Sequence, residues 1–186
     1  MQPIHATAQL NLRMQPLDRG DLFEDPLMEE LESQELGEVT GGGTMMQESG
    51  EIDYCDIELE LSDIERAVPL VCQFLEERGV PRGSKLTYHV GETAHEVPFG
   101  RMEGLAIYLN GTDLPEEVYS ECDINFVFDE INRLIEGRGA ILGHWQGPTE
   151  TALYMYGTSA AAMREAITPF VAEYPLCQQS RFAQIA

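Results

Sequence analysis

Three carboxylates, Asp56, Glu58 and Glu60, alternate with the apolar Ile57, Leu59 and Leu61. In an extended strand this spacing sets all three acids on one face, about 7 Å apart. Such a row could hold a divalent cation through its oxygens, or it could meet the cationic side chains of another protein. The first use is disfavoured, because Arg13 and Lys85 are expected on neighbouring strands of the same face, where cross-strand pairing accounts for much of the row, and the second half of the chain keeps none of these acids. No metal site and no cofactor is therefore assigned. A second set comprises His144, Tyr154 and Tyr156, which alternation places with Ala106 and Tyr108 on one sheet face. Tyrosine and histidine offer large contact area with polar tips, so this face reads either as a contact surface or as an internal packing surface. Trp145 is expected to point the other way, towards the helices, unless a bulge shifts the register. The expected partner-binding residues are thus Asp56, Glu58, Glu60, His144, Tyr154 and Tyr156.

Other constellations fail on chemistry. The four cysteines, Cys55, Cys72, Cys122 and Cys177, include no CxxC pair and no histidine at zinc-finger spacing, which argues against structural zinc. Cys122 stands at a predicted helix start, but Glu121 and Asp123 beside it oppose a thiolate. Gly41-Gly42-Gly43-Thr44 lacks the lysine of a phosphate loop and precedes a strand, so its glycines read as a bulge or a close backbone approach. His89 and His95 lie in a glycine-bearing stretch with no serine or cysteine tied to them. No catalytic residue is assigned.

The elements that must position these residues follow from periodicity. Ala6 to Met14 alternates as a half-buried strand; Asp21 to Ser33 has helical spacing; Gly37 to Met46 and Glu51 to Leu61 form a hairpin. Ser62 or Asp63 caps a helix running to Arg78, and Lys85 to Val90 is a strand again. Gly91 to Gly104, with Pro98 and Gly100, reads as a linker. The order then repeats, with a strand at Leu105 to Leu109, a helix at Asp123 to Glu136 and a hairpin over Gly139 to Trp145 and Thr151 to Tyr156. A helix capped by Ser159 and a closing strand at Arg181 to Ile185 complete it. This β-α-β-β-α-β order, twice, resembles the ferredoxin-like fold. The resemblance implies an α+β protein of two ferredoxin-like βαββαβ units with antiparallel sheets, an acidic N-terminal unit at 1–97 and a C-terminal unit at 98–186. That architecture hosts many unrelated activities and licenses none by itself.

Composition narrows the partners. Across 186 residues, 33 Asp and Glu face 11 Lys and Arg, giving a formal net charge of −22, and residues 1–97 hold 21 of those acids. A surface of that sign repels polyphosphate, so direct nucleic-acid binding is disfavoured. No apolar run approaches the roughly 20 residues of a membrane span. The first residues lack a basic region followed by an apolar one, and a cytoplasmic protein is expected. The functional expectation is an acidic protein-binding module for a basic protein, comparable to a bacterial immunity-type inhibitor of a cationic enzyme. The alternatives are a small-molecule-binding or metal-assisted enzyme with its site between the units, and a homo-oligomeric structural or regulatory module.

Overall fold

A computed structural model describes residues 3–186. The chain divides into two compact units. One runs to Glu48 and resumes over Ile52–Arg101; the other comprises Ser49–Glu51 and Met102–Ala186.

The first unit contains β1 (Ile4–Leu10), α1 (Pro16–Arg19), a π turn (Gly20–Glu24), α2 (Asp25–Ser33), β2 (Gly37–Met46), β3 (Ile52–Leu61), α3 (Ile64–Glu77), β4 (Ser84–Val90) and β5 (Thr93–Phe99). Its antiparallel sheet has the order β2-β3-β1-β4-β5. The first strand lies between the third and fourth, as in a ferredoxin-like unit, and β5 extends the edge. Ala8 stands opposite both Ile57 and Leu86, and all three are fully buried. Fully burying a leucine or isoleucine contributes about 1.5–3 kcal/mol, so this alternation holds the helices on one face and leaves the polar partners on the other.

Two expectations are corrected here. The linker predicted at 91–104 is largely a strand. Gly91, at φ +61°, closes a two-residue turn between Val90 and Thr93, so the chain doubles back along β4. Pro98 is tolerated because β5 is an edge strand. The first helical segment also starts earlier than expected. Its buried positions, Arg19, Phe23, Leu27 and Leu31, recur at every fourth residue. An α-helix drifts about 40° over each such step. The Asp25 N–H reaches Gly20 O in an i to i+5 bond, widening the turn between Arg19 and Phe23 and keeping both turned inwards.

The second unit contains β6 (Glu103–Asn110), α4 (Glu116–Glu121), α5 (Ile124–Leu134), β7 (Gly139–Gln146), β8 (Glu150–Gly157), α6 (Ala160–Glu173), a short 3-10 turn (Pro175–Cys177) and β9 (Arg181–Gln184). Sheet order β7-β8-β6-β9 repeats the ferredoxin-like arrangement. Asp123 and Ser159 cap α5 and α6 by accepting from the Asn125 and Ala162 N–H groups. Leu105, Ile107, Leu153 and Met155 pack with Val127, Ile131, Met163 and Ile167 in the helix-facing core. Among the described residues no helix is long and apolar enough to cross a membrane.

Candidate functional site

The open sheet face of the first unit carries Asp56, Glu58 and Glu60 together on β3. The register sets Gln9, Thr7 and His5 opposite them, in that order. Arg13, expected near Glu58 or Glu60, lies three residues beyond the end of β1, because pairing stops at Leu10. Directly opposite the row, His5 Nε2 is 2.8 Å from Glu58 Oε2, and the Thr7 hydroxyl donates to that same oxygen at 3.1 Å. Lys85, opposite Gln9, is engaged by Glu96 at 2.8 Å. On the other flank Gly43 faces Asp56 and Gly41 faces Glu58, so β2 offers bare backbone beside these two acids, while Glu38 stands opposite Glu60. The Glu58 and Glu60 side chains are each 35% exposed.

Burial lifts the Asp56 carboxyl above its usual range; the Glu58 charge adds to this and Arg19 opposes it. A raised folded-state value means that ionising Asp56 disfavours folding at neutral pH, an effect that disappears once acid protonates it in both states. Asp56→Asn is therefore expected to raise the melting temperature at pH 7, with the gain shrinking as the pH falls through about 4. Thermal melts of both proteins between about pH 3 and 7 check this, and a gain that grows towards acid contradicts it.

Beneath the face lies an ion pair that sequence reading missed. Arg19 is buried; it pairs with Glu24 and donates through Nη1 to Gly43 O at 2.7 Å and to the Thr44 hydroxyl at 2.8 Å. Burial alone pulls this guanidinium down, but the hydrogen bond and charge of Glu24 outweigh it and hold the proton more tightly. A Cβ on Gly42 would run into Glu24 Oε1 and the Arg19 guanidinium. The glycine run is thus a close approach, as expected from sequence, and β2 also carries an irregularity between Val39 and Gly41.

In the second unit the predicted set separates. An irregularity between Ile141 and Gly143 shifts β7 by one residue. His144 then stands opposite Leu153 on the helix-facing side, and Trp145 opposite Ala152 on the side of Tyr108, Tyr154 and Tyr156. Side chains alternate strictly along a strand, so one extra residue exchanges the two. His144 is thus corrected: it does not share a face with Tyr154 and Tyr156. Those tyrosines are 1% and 3% exposed, and Tyr108 is buried, so the expected contact surface is covered. The buried Glu51 carboxylate accepts from the Tyr108 hydroxyl at 2.8 Å and the Tyr154 hydroxyl at 2.6 Å. The Arg181 guanidinium lies 3.7 Å over the Tyr108 ring and forms a two-pronged bond to Glu150, whose carboxyl it holds below the usual range.

His144 instead lines a groove of about 730 Å³ with Asp123, Asn125, Phe128, Gln146 and Thr151. Cys122 also borders it. Burial pushes the Cys72 and Cys177 thiols up to about 11, and raises Cys55, whose Sγ donates to Leu12 O and Met14 O. These three serve as packing groups, because the reactive form of cysteine is the thiolate.

No protein-family profile matches the chain, and no curated protein matches it. Solved structures resemble it distantly. TiaS in complex with a transfer RNA, AMPCPP and agmatine is 10% identical, with a TM-score of 0.35 over 90% of this chain. The chain spans only 56% of that protein's length. Two proteins whose names propose them as monooxygenases are similarly remote. The one from Fusobacterium nucleatum has 10% identity and a TM-score of 0.32, covering 98% of this chain and 91% of that one. The one from Lactobacillus acidophilus has 12% identity and a TM-score of 0.28, covering 100% and 95%. Likeness at this level carries no argument about function; the fold rests on the strand orders given above.

Proposed function

We propose that the protein is a binding module for a strongly basic protein, of the kind that inhibits a cationic enzyme by presenting carboxylates to its phosphate-binding cleft. The observation that carries the reading is the row Asp56, Glu58 and Glu60, standing on an open sheet face beside the bare β2 backbone at Gly41 and Gly43, in a chain of net charge −22. A long cationic side chain can lie flat over those glycines and reach the carboxylates without displacing another side chain. The field steers such a partner inwards over roughly a Debye length, so its main effect falls on the association rate. The same charge repels a second copy, which weakens the homo-oligomer alternative.

Association of fluorescein-labelled polylysine, followed by stopped flow, tests the reading. Reversal of two of the acids, Glu58→Lys with Glu60→Lys, is expected to slow association roughly tenfold at low ionic strength and to flatten its salt dependence. Circular dichroism confirms that the variant is folded. An unchanged association rate at low salt removes the acid row from recognition.

A further inference from the structure

The helix-facing side of the second sheet changes character at one corner. Register flanks Met155 with Leu105 and Ile141, an apolar row that belongs to the core. Leu153 then stands between Ile107 and His144, and Thr151 between Leu109 and Gln146. The irregularity between Ile141 and Gly143 is what turns His144 and Gln146 to this side. Three polar side chains therefore occupy a face that elsewhere packs on the helices. They line the groove of about 730 Å³ together with Asp123, Asn125 and Phe128 from the start of α5.

The helix side of the groove is already committed to the fold. Asp123 caps α5 by accepting from the Asn125 N–H at 2.8 Å, and the Asn125 side-chain amide donates to the same oxygen at 3.0 Å. The Tyr119 hydroxyl accepts from the Leu114 N–H at 3.0 Å and donates to Asn110 O at 3.2 Å, which fixes its ring in the groove wall. On the strand side the position is reversed. Among the described residues the side chains of His144, Gln146 and Thr151 make no hydrogen bond within the chain. An imidazole, an amide and a hydroxyl offer both donors and acceptors, and the β7–β8 ladder holds their backbones in place.

Size and charge narrow the occupant. Small-molecule sites occupy roughly 300–1,000 Å³, a range that includes this groove. Among its described lining residues Asp123 is the one carboxylate, and no lysine or arginine joins it. A phosphate or carboxylate ligand would meet a repelling charge and no cation. The N–H groups at the start of α5 offset Asp123, so a cationic ligand is not required either. Leu109, Leu153 and Leu176, with the Phe128 and Tyr119 rings, supply apolar contact of the kind that favours an aromatic ligand.

We infer that this groove is a binding site for an uncharged aromatic molecule bearing a hydroxyl or amide group, its ring against Phe128 and Leu153 and its polar group on His144, Gln146 and Thr151. The site lies wholly within the second unit and does not depend on the basic-partner reading.

Four probes that share one ring system test it: naphthol, naphthalene, naphthalenesulfonate and naphthylmethylamine. Each is titrated into the isotope-labelled full chain at about pH 7 and about 150 mM salt, and the amide shifts in the NMR spectrum give affinity and location together. The native chain is expected to bind naphthol roughly fivefold tighter than naphthalene, as one or two net hydrogen bonds would give, and at least roughly tenfold tighter than either charged probe. The shifts should centre on Asn125, Phe128, Thr151 and Leu153. Gln146→Leu with Thr151→Val is expected to erase the preference for naphthol while naphthalene still binds, and His144→Leu to weaken naphthol in the same direction. Gln146 and His144 are exposed and Thr151 is half-buried, so these variants should melt near the native temperature. A charged probe that binds as tightly as naphthol overturns the ligand class. Shifts centred elsewhere, a naphthol preference that survives both variants, or no shift with naphthol up to about 2 mM overturns the site. The order of the four probes is read on the native chain, so it decides the matter even where a variant fails to fold.

Discussion

Arg19→Met is expected to destabilise the first unit by about 3–5 kcal/mol, the largest single-residue effect foreseen in this chain. Methionine fills much of the arginine volume, so the loss is electrostatic more than steric. It strands the Glu24 carboxylate, whose side chain is only 19% exposed, and withdraws donors from Gly43 O and the Thr44 hydroxyl. A buried charge left without its partner costs more than the pair contributed, because the desolvation of that charge is no longer offset. Removing both charges, as Arg19→Met with Glu24→Leu, should therefore recover much of the loss. Urea unfolding with an unchanged slope measures this. A single-variant loss below about 1 kcal/mol, or a double variant worse than the single one, would falsify the account. Gly42→Ala attacks the same pair from the strand side, through the clash of its methyl group with Glu24 and Arg19.

Glu51→Ala should lower the stability of the second unit by about 3 kcal/mol, since two tyrosine hydroxyls each lose a charged acceptor and such bonds contribute about 1.5–3 kcal/mol apiece. Tyr154→Phe removes one of the two bonds and should cost about half as much. Glu51→Gln keeps an acceptor but not the charge, and should fall between. The order native, Tyr154→Phe, Glu51→Ala in melting temperature is the diagnostic result. Equal melting of native and Glu51→Ala proteins means that the carboxylate holds nothing together.

Much of this architecture is legible locally. Alternation in β1, β3 and β4 and the 3.6 period in α3, α5 and α6 have a clear sequence signal, because one face of each is buried. Strand β5 has none: Thr93, Ala94, His95 and Glu96 are all exposed, so nothing alternates, and Pro98 argues for a loop. The six residues of α4 are too short for a period and bury no residue fully. The acid row was readable because β3 is regular, whereas the position of Arg13 beyond the paired strand was not, since that depends on where β1 stops. His144 and Trp145 exchanged faces through one bulge, a feature that alternation alone does not locate. The Glu51 bonds span 57 and 103 residues and leave no local trace.

The inclusion of Ser49–Glu51 in the second unit has a consequence for how the gene can be cut. A stretch beginning at Met102 holds every strand and helix of that unit yet omits the acceptor for Tyr108 and Tyr154. On the ribosome the carboxylate emerges first and stays hydrated until Tyr108, and long after it Tyr154, has been synthesised. The half of the chain that looks like a portable cassette is therefore not one: recombination or expression of Met102–Ala186 alone leaves behind a component made about fifty residues upstream, and the unit has to be inherited with it.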